Sequence, residues 1–169
     1  MGDLVNYKSD TNPTLLDALP FDDFEKSLLP LVRHFVGTLE TGDAIECCHI
    51  YDRAIQTWGD PVGLSIAHIL QKLILALKRS RNCPLQCFYP AHCDDPKFIS
   101  ENERSLLTML HHMRRDQTKG ARDALDKLAF GKRDPKVIQT ALTFSNRYAA
   151  GAPLQAGSTR NQCRLRVIR

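Results

Sequence analysis

The strongest constraint on this chain is that its helix punctuation and its apolar spacing agree. Asn12-Pro13, Asp60-Pro61 and Asp134-Pro135 each set a short acceptor side chain just before a proline. Such a side chain accepts from the free N–H groups of a first helical turn, and proline, which has no N–H to offer, fits the first position. Gly59 precedes one of these starts directly, and Gly131 stands three residues before another, as expected of glycines that end helices in the left-handed conformation. Gly42-Asp43 repeats the stop-and-start signature, and Ser100 with Glu103 forms a capping box.

Each piece between these marks carries apolar residues at three- and four-residue spacing. The stripes are Phe21, Phe24, Leu28, Val32, Phe35 and Leu39, then Ala44, Cys47, Cys48, Tyr51, Ala54, Ile55 and Trp58. Next come Ile66, Ile69, Leu70, Leu73, Ile74 and Leu77, followed by Leu106, Leu107, Leu110 and Met113. The last two are Ala121, Ala124, Leu125 and Leu128, and Val137, Ile138, Ala141, Leu142, Ser145 and Tyr148. Pro30 falls inside the first stripe and predicts a kink or break there. No segment alternates as a strand does, and no Asn-Gly or Asp-Gly hairpin turn occurs.

The expected fold is all-α: a single-domain bundle of about six helices, mostly antiparallel because the connections are short. A short helix over Asn12–Leu19 stands in front. Residues 1–11 read as an N-terminal extension, 12–150 as the bundle, and 151–169 as a disordered basic tail. With 43% hydrophobic and 25% charged residues in 169, one ordinary core is affordable. The longest aliphatic run, Leu73 to Leu77, is far short of a membrane span, and no secretory signal is visible, so the expected location is cytoplasmic. In that setting the six cysteines are expected as free thiols.

Two regions escape the helical scheme. One is the long loop 81–99, with three prolines, three cysteines and the aromatics Phe88, Tyr89 and Phe98. Its Cys83, Cys87, His92 and Cys93 are ligand types that zinc prefers. The three-residue gap between the first two cysteines and the adjacency of His92 and Cys93 weaken that reading, so idle thiols lead, with zinc and a redox pair as alternatives. The other region is the basic C-terminal third. Residues 1–109 carry ten Lys/Arg against fifteen Asp/Glu, a net −5, whereas residues 110–169 carry thirteen against four, a net +9. That split predicts an acidic counterpart: a protein, a nucleic acid, a membrane surface, or the chain's own front half.

The candidate contacts are Lys119, Arg122, Lys132, Arg133, Lys136 and the tail residues Arg160, Arg164, Arg166 and Arg169. The two helices joined by Gly131-Lys-Arg-Asp-Pro135 are loosely like a helix-turn-helix, but the second opens with Lys136 and then core-like Val137 and Ile138, which argues against base reading. Cys47 and Cys48 read as core, while His34, His49 and His68 fall on polar faces. His111 and His112, followed by Arg114 and Arg115, suit the negative end of a helix. No Gly-rich phosphate loop, zinc-protease motif or nucleophile elbow occurs. The expected function is therefore a non-enzymatic protein-interaction module, an adaptor or regulator that binds an acidic partner through the basic third, with no cofactor. The alternatives are a nucleic-acid-associated, transcriptional regulator and a zinc- or thiol-dependent sensor.

Overall fold

A computed structural model describes residues 14–42, 44–87 and 97–154 of the chain. Within them lie six α-helices: α1 (Asp23–Thr41), α2 (Ala44–Trp58), α3 (Asp60–Ser80), α4 (Glu101–Met113), α5 (Thr118–Leu128) and α6 (Pro135–Arg147). The protein is an all-α, single-domain bundle. A 3-10 turn at Leu16–Ala18 and a two-stranded ladder, β1 (Thr14–Leu15) with β2 (Phe98–Ile99), complete it.

Local chemistry explains most of the boundaries. The Ser100–Glu103 capping box forms as expected, and so does the Asp134 cap, whose carboxylate accepts from the Lys136 N–H at 2.8 Å. Gly42, Gly59 and Gly131 all adopt positive φ, where a side chain would be strained. α1 opens on another capping box, unexpected from the sequence, in which Asp22 and Glu25 stand at the same three-residue spacing as Ser100 and Glu103.

Three local expectations need correction. Asp60 does not cap α3: it is the first helical residue, and Gly59 takes the cap position. Gly59 alone joins α2 to α3, so one residue must reverse the chain, and at φ 81° only glycine does so without strain. Of the kink or break expected at Pro30, the break does not occur, and α1 runs through it. The proline removes one helical N–H, but the buried Leu28, Leu29, Leu31 and Val32 around it hold the helix together. The short helix expected over Asn12–Leu19 is instead a strand followed by the 3-10 turn, and Asn12-Pro13 lies outside the described residues. Only six residues separate Pro13 from Pro20, too few for a stable helix, and Leu19 takes the extended backbone that a following proline favours. The ladder pairs Leu15 with Phe98, and the Leu16 N–H donates to the Lys97 carbonyl at 2.9 Å.

The core forms around α3, which packs against α2 on one side and α6 on another and also touches α1. α3 has the length and hydropathy of a membrane-crossing helix, yet Ile66, Leu70, Leu73, Ile74 and Leu77 all face this core. At Gly63 the helices α2 and α3 touch backbone to backbone, because a Cβ there would sit 2.3 Å from the Ala54 carbonyl oxygen. Gly63→Ala is therefore expected to force the two helices apart and to lower stability by about 1–3 kcal/mol. Urea unfolding measures this, and a loss no larger than that of an exposed Gly→Ala change would show that the helices do not cross so closely.

The expectation that Cys47 and Cys48 are both core also needs correction. Cys47 is half-buried beside Gln71, but Cys48 is exposed, and Ile50 takes the buried position instead. On a helix, adjacent residues point about 100° apart, so two neighbours rarely share one narrow face.

Candidate functional site

Part of the charge split is satisfied inside the molecule. Arg114 is buried, and its Nη1 donates to Asp22 at 2.8 Å and to Glu25, while its Nε donates to the Tyr148 carbonyl at 2.6 Å. Arg115 donates to Glu25 at 2.6 Å and to Asp22 at 3.0 Å. His111 lies 2.9 Å from the same Glu25. Burial works against the Asp22 carboxylate, but the Glu25 N–H, Arg114 and Arg115 outweigh it and hold its pKa below the usual value. These C-terminal cations thus fasten the end of α4 to the start of α1. The dipole explanation suggested by their position in the last turn is incomplete.

The remaining cations stay on the surface. Lys119, Arg122, Lys132, Arg133 and Lys136 are all exposed, whereas Arg160, Arg164, Arg166 and Arg169 lie outside the described residues. Lys132 donates to Asn82 at 2.9 Å. Arg133 grips Asp126 through two bonds, Nε–Oδ1 at 2.9 Å and Nη2–Oδ2 at 2.7 Å. That grip lowers the Asp126 pKa and raises that of Arg133. Lys136 faces the opposite way, toward α3.

Arg122 and Arg133 flank a groove that the helical packing leaves open. α5 packs on α4, where Gly120 admits the His112 ring so closely that a Cβ would stand 2.6 Å from it. α6 packs on α3 through its buried face, Val137, Ala141 and Phe144. α5 and α6 follow one another in the chain but are drawn to different neighbours, so they do not close into the hairpin that their short connection suggested.

The gap between them is a groove of about 230 Å³ with Met113, Ala121, Leu125, Ile138 and Leu142 as its apolar surface. Asp116, Gln117, Thr118, Arg122 and Arg133 form the rest of its lining. Leu142 is 45% exposed, a large apolar side chain left uncovered beside two arginines. Asp116, at φ 54°, holds the α4–α5 turn at one end, in a conformation that aspartate tolerates better than most residues. The apolar stripe expected on α6 was thus wider than the core requires: Leu142 is left exposed in the groove, while Ile138 lines it and also packs against the core.

The cysteine loop is built differently. Arg81 is buried and ties it down by donating to the carbonyls of Leu128, Cys83 and Pro84 and to Asn102. Its guanidinium also lies over the Phe130 ring, 4.9 Å from the centroid. Cys83 is exposed, with its sulfur 3.5 Å from Arg81. Cys87 points toward the buried Arg33–Glu103 pair, and burial, then the Glu103 carboxylate, push its thiol up, so that it stays protonated. His92 and Cys93 lie outside the described residues. Among the described residues no three His, Cys, Asp or Glu side chains gather closely enough to hold a metal ion. Maleimide is expected to label Cys48 and Cys83 in the folded protein well before Cys87, because the thiolate is the reactive form. Peptide mapping after timed labelling checks this, and Cys87 reacting first would show the thiol to be ionised.

Comparison with known proteins finds no family model, no curated protein and no solved structure that matches this chain.

Proposed function

We propose that this protein is a non-enzymatic helical interaction module, an adaptor or regulator, that receives an acidic amphipathic helix of a protein partner in the α5–α6 groove. The observation that carries the reading is the apolar groove in which Leu142 stands exposed, with Arg122 and Arg133 at its edge. Helix-in-groove recognition works in this way: apolar side chains at i, i+4 and i+7 enter the groove and flanking charges set orientation. Charge complementarity selects an acidic partner. Lys119, Arg122 and Lys127 on α5 are exposed and form no ion pair with the described residues. Arg133 is held by Asp126, and Arg122 acts on the same carboxylate only at longer range, so Arg122 is the groove cation with the more available guanidinium.

The test uses a fluorescent designed helix with leucines at i, i+4 and i+7 and glutamates beside them, read by anisotropy together with methyl chemical shifts of the full chain. Binding is expected to perturb Met113, Ile138 and Leu142. Leu142→Glu is expected to abolish binding, and Arg122→Glu to weaken it by about tenfold. Equal binding to Leu142→Glu, or perturbations confined to another surface, would remove the groove from the account. A lysine-bearing helix that binds better than the glutamate one would reverse the partner's charge. Salt-sensitive binding of DNA or RNA with no binding of the helix would favour the nucleic-acid alternative.

A further inference from the structure

A second groove lies on the other side of α6, and its chemistry differs from that of the first. Lys72 and Arg79 are seven residues apart on α3, so they project from the same face. Lys136, in the first turn of α6, meets them across a groove of about 220 Å³. Leu75 and Ala76, both half-buried, contribute its aliphatic surface, and Gln139 and Thr140 line it from α6. One carboxylate, Asp134, also lines it, but that side chain accepts from the Lys136 N–H as the cap of α6. The Thr140 hydroxyl is likewise engaged, donating to the Lys136 carbonyl at 2.7 Å.

The three cations are not satisfied in this way. The side chains of Lys72, Arg79 and Lys136 make no hydrogen bond or ion pair with the described residues. Some other surface cations are paired, Lys26 with Asp17 at 2.8 Å, Arg104 with Glu101 at 2.6 Å and Arg133 with Asp126 at 2.7 Å. Lys119, Arg122 and Lys127 are unpaired among the described residues but do not line this groove. Three like charges drawn from two helices into one concavity repel one another unless an anion joins them.

We propose that the α3–α6 groove binds a compact phosphate-bearing anion, a phosphate monoester or diphosphate, independently of the partner-helix groove. The Arg79 guanidinium offers a planar fork that matches two phosphate oxygens, and the Lys72 and Lys136 ammonium groups act as point charges from either side. The Gln139 side-chain amide supplies a neutral donor, and the aliphatic surface of Leu75 and Ala76 limits water around the anion. A net charge of at least −2 on the ligand is needed to offset three cations and one carboxylate.

Calorimetric titration of the full chain with pyrophosphate at low salt is expected to show saturable one-to-one binding that weakens as salt rises. Lys72→Gln, Arg79→Gln and Lys136→Gln are each expected to weaken it by about tenfold, while Lys119→Gln leaves it unchanged. All four residues are exposed, so the variants should fold, and their melting curves verify it. Parallel arms with adenosine monophosphate and with vesicles containing a phosphoinositide distinguish a soluble phosphate from a lipid headgroup. No saturable binding of any of these probes would overturn the proposal. So would undiminished binding by the triple variant, or an equal loss in Lys119→Gln, which would mean a diffuse positive field. Because none of these substitutions touches Arg122, Arg133 or Leu142, failure here leaves the reading of the first groove standing.

Discussion

Glu25→Ala is expected to destabilise the fold by about 3–5 kcal/mol. Glu25 is fully buried, and its carboxylate accepts from Arg114, Arg115, His111 and the Asp22 N–H. Removing it leaves the buried guanidinium of Arg114 with a single carboxylate partner, Asp22, and the capping box of α1 without its return bond. With Asp22 alone left to offset it, much of the desolvation cost of the buried Arg114 charge goes uncompensated, and that cost exceeds what an exposed pair contributes. Asp23→Ala, two residues away but exposed, is expected to change stability by no more than about 0.5 kcal/mol. Urea unfolding of both variants separates the two cases. A Glu25→Ala loss as small as that of Asp23→Ala would mean that the cluster is held by packing and that its charges contribute little.

The second large effect is at Glu103. Its side chain is fully buried, bonds Arg33 through two contacts of 2.7 and 3.1 Å, and returns to the Ser100 N–H as the cap of α4. Arg33 is itself buried and also donates to the Phe98 carbonyl of β2 at 2.6 Å. Glu103→Ala is expected to lower stability by about 3–5 kcal/mol, since it strands Arg33 inside the protein. The double variant Arg33→Met with Glu103→Leu is expected to recover much of that loss, because apolar side chains of similar volume incur no charge-burial cost. A double-mutant cycle by chemical denaturation reads the coupling directly. If the double variant were as unstable as the sum of its single changes, the pair would not be coupled, and the observed contact would be energetically idle.

Both predictions concern contacts that join distant parts of the chain. Arg115 and Asp22 are 93 residues apart, and Arg33 and Glu103 are 70 apart. Each of these acids also serves a local cap, so its local role was visible in the residue spacing while its long-range partner was not. The net −5 and +9 of the two parts suggested that the front half could be the acidic counterpart of the back, and for Arg114 and Arg115 it is. Nothing in the spacing distinguished those two arginines from Lys119 or Arg122, which stay outside. The candidate groove illustrates the same limit. Ile138 and Leu142 were legible as apolar residues on α6, but that Leu142 stands exposed in a groove depends on α5 packing on α4, where Gly120 meets His112, and not on α6.

The sequence by itself determined that the chain is helical and where most helices begin and end. Caps, prolines, left-handed glycines and apolar stripes act within about one helical turn, so their physics is complete in a short window of residues. Only the tertiary structure decided which helix covers which face, which charges go inside, that Cys48 faces solvent, and that Leu15 meets Phe98 in a short ladder. Periodicity states that a face is apolar but leaves its neighbour open, since the hydrophobic effect has no direction. The two grooves beside α6, one apolar with an arginine rim and one lined by three cations, exist only through that choice of neighbours.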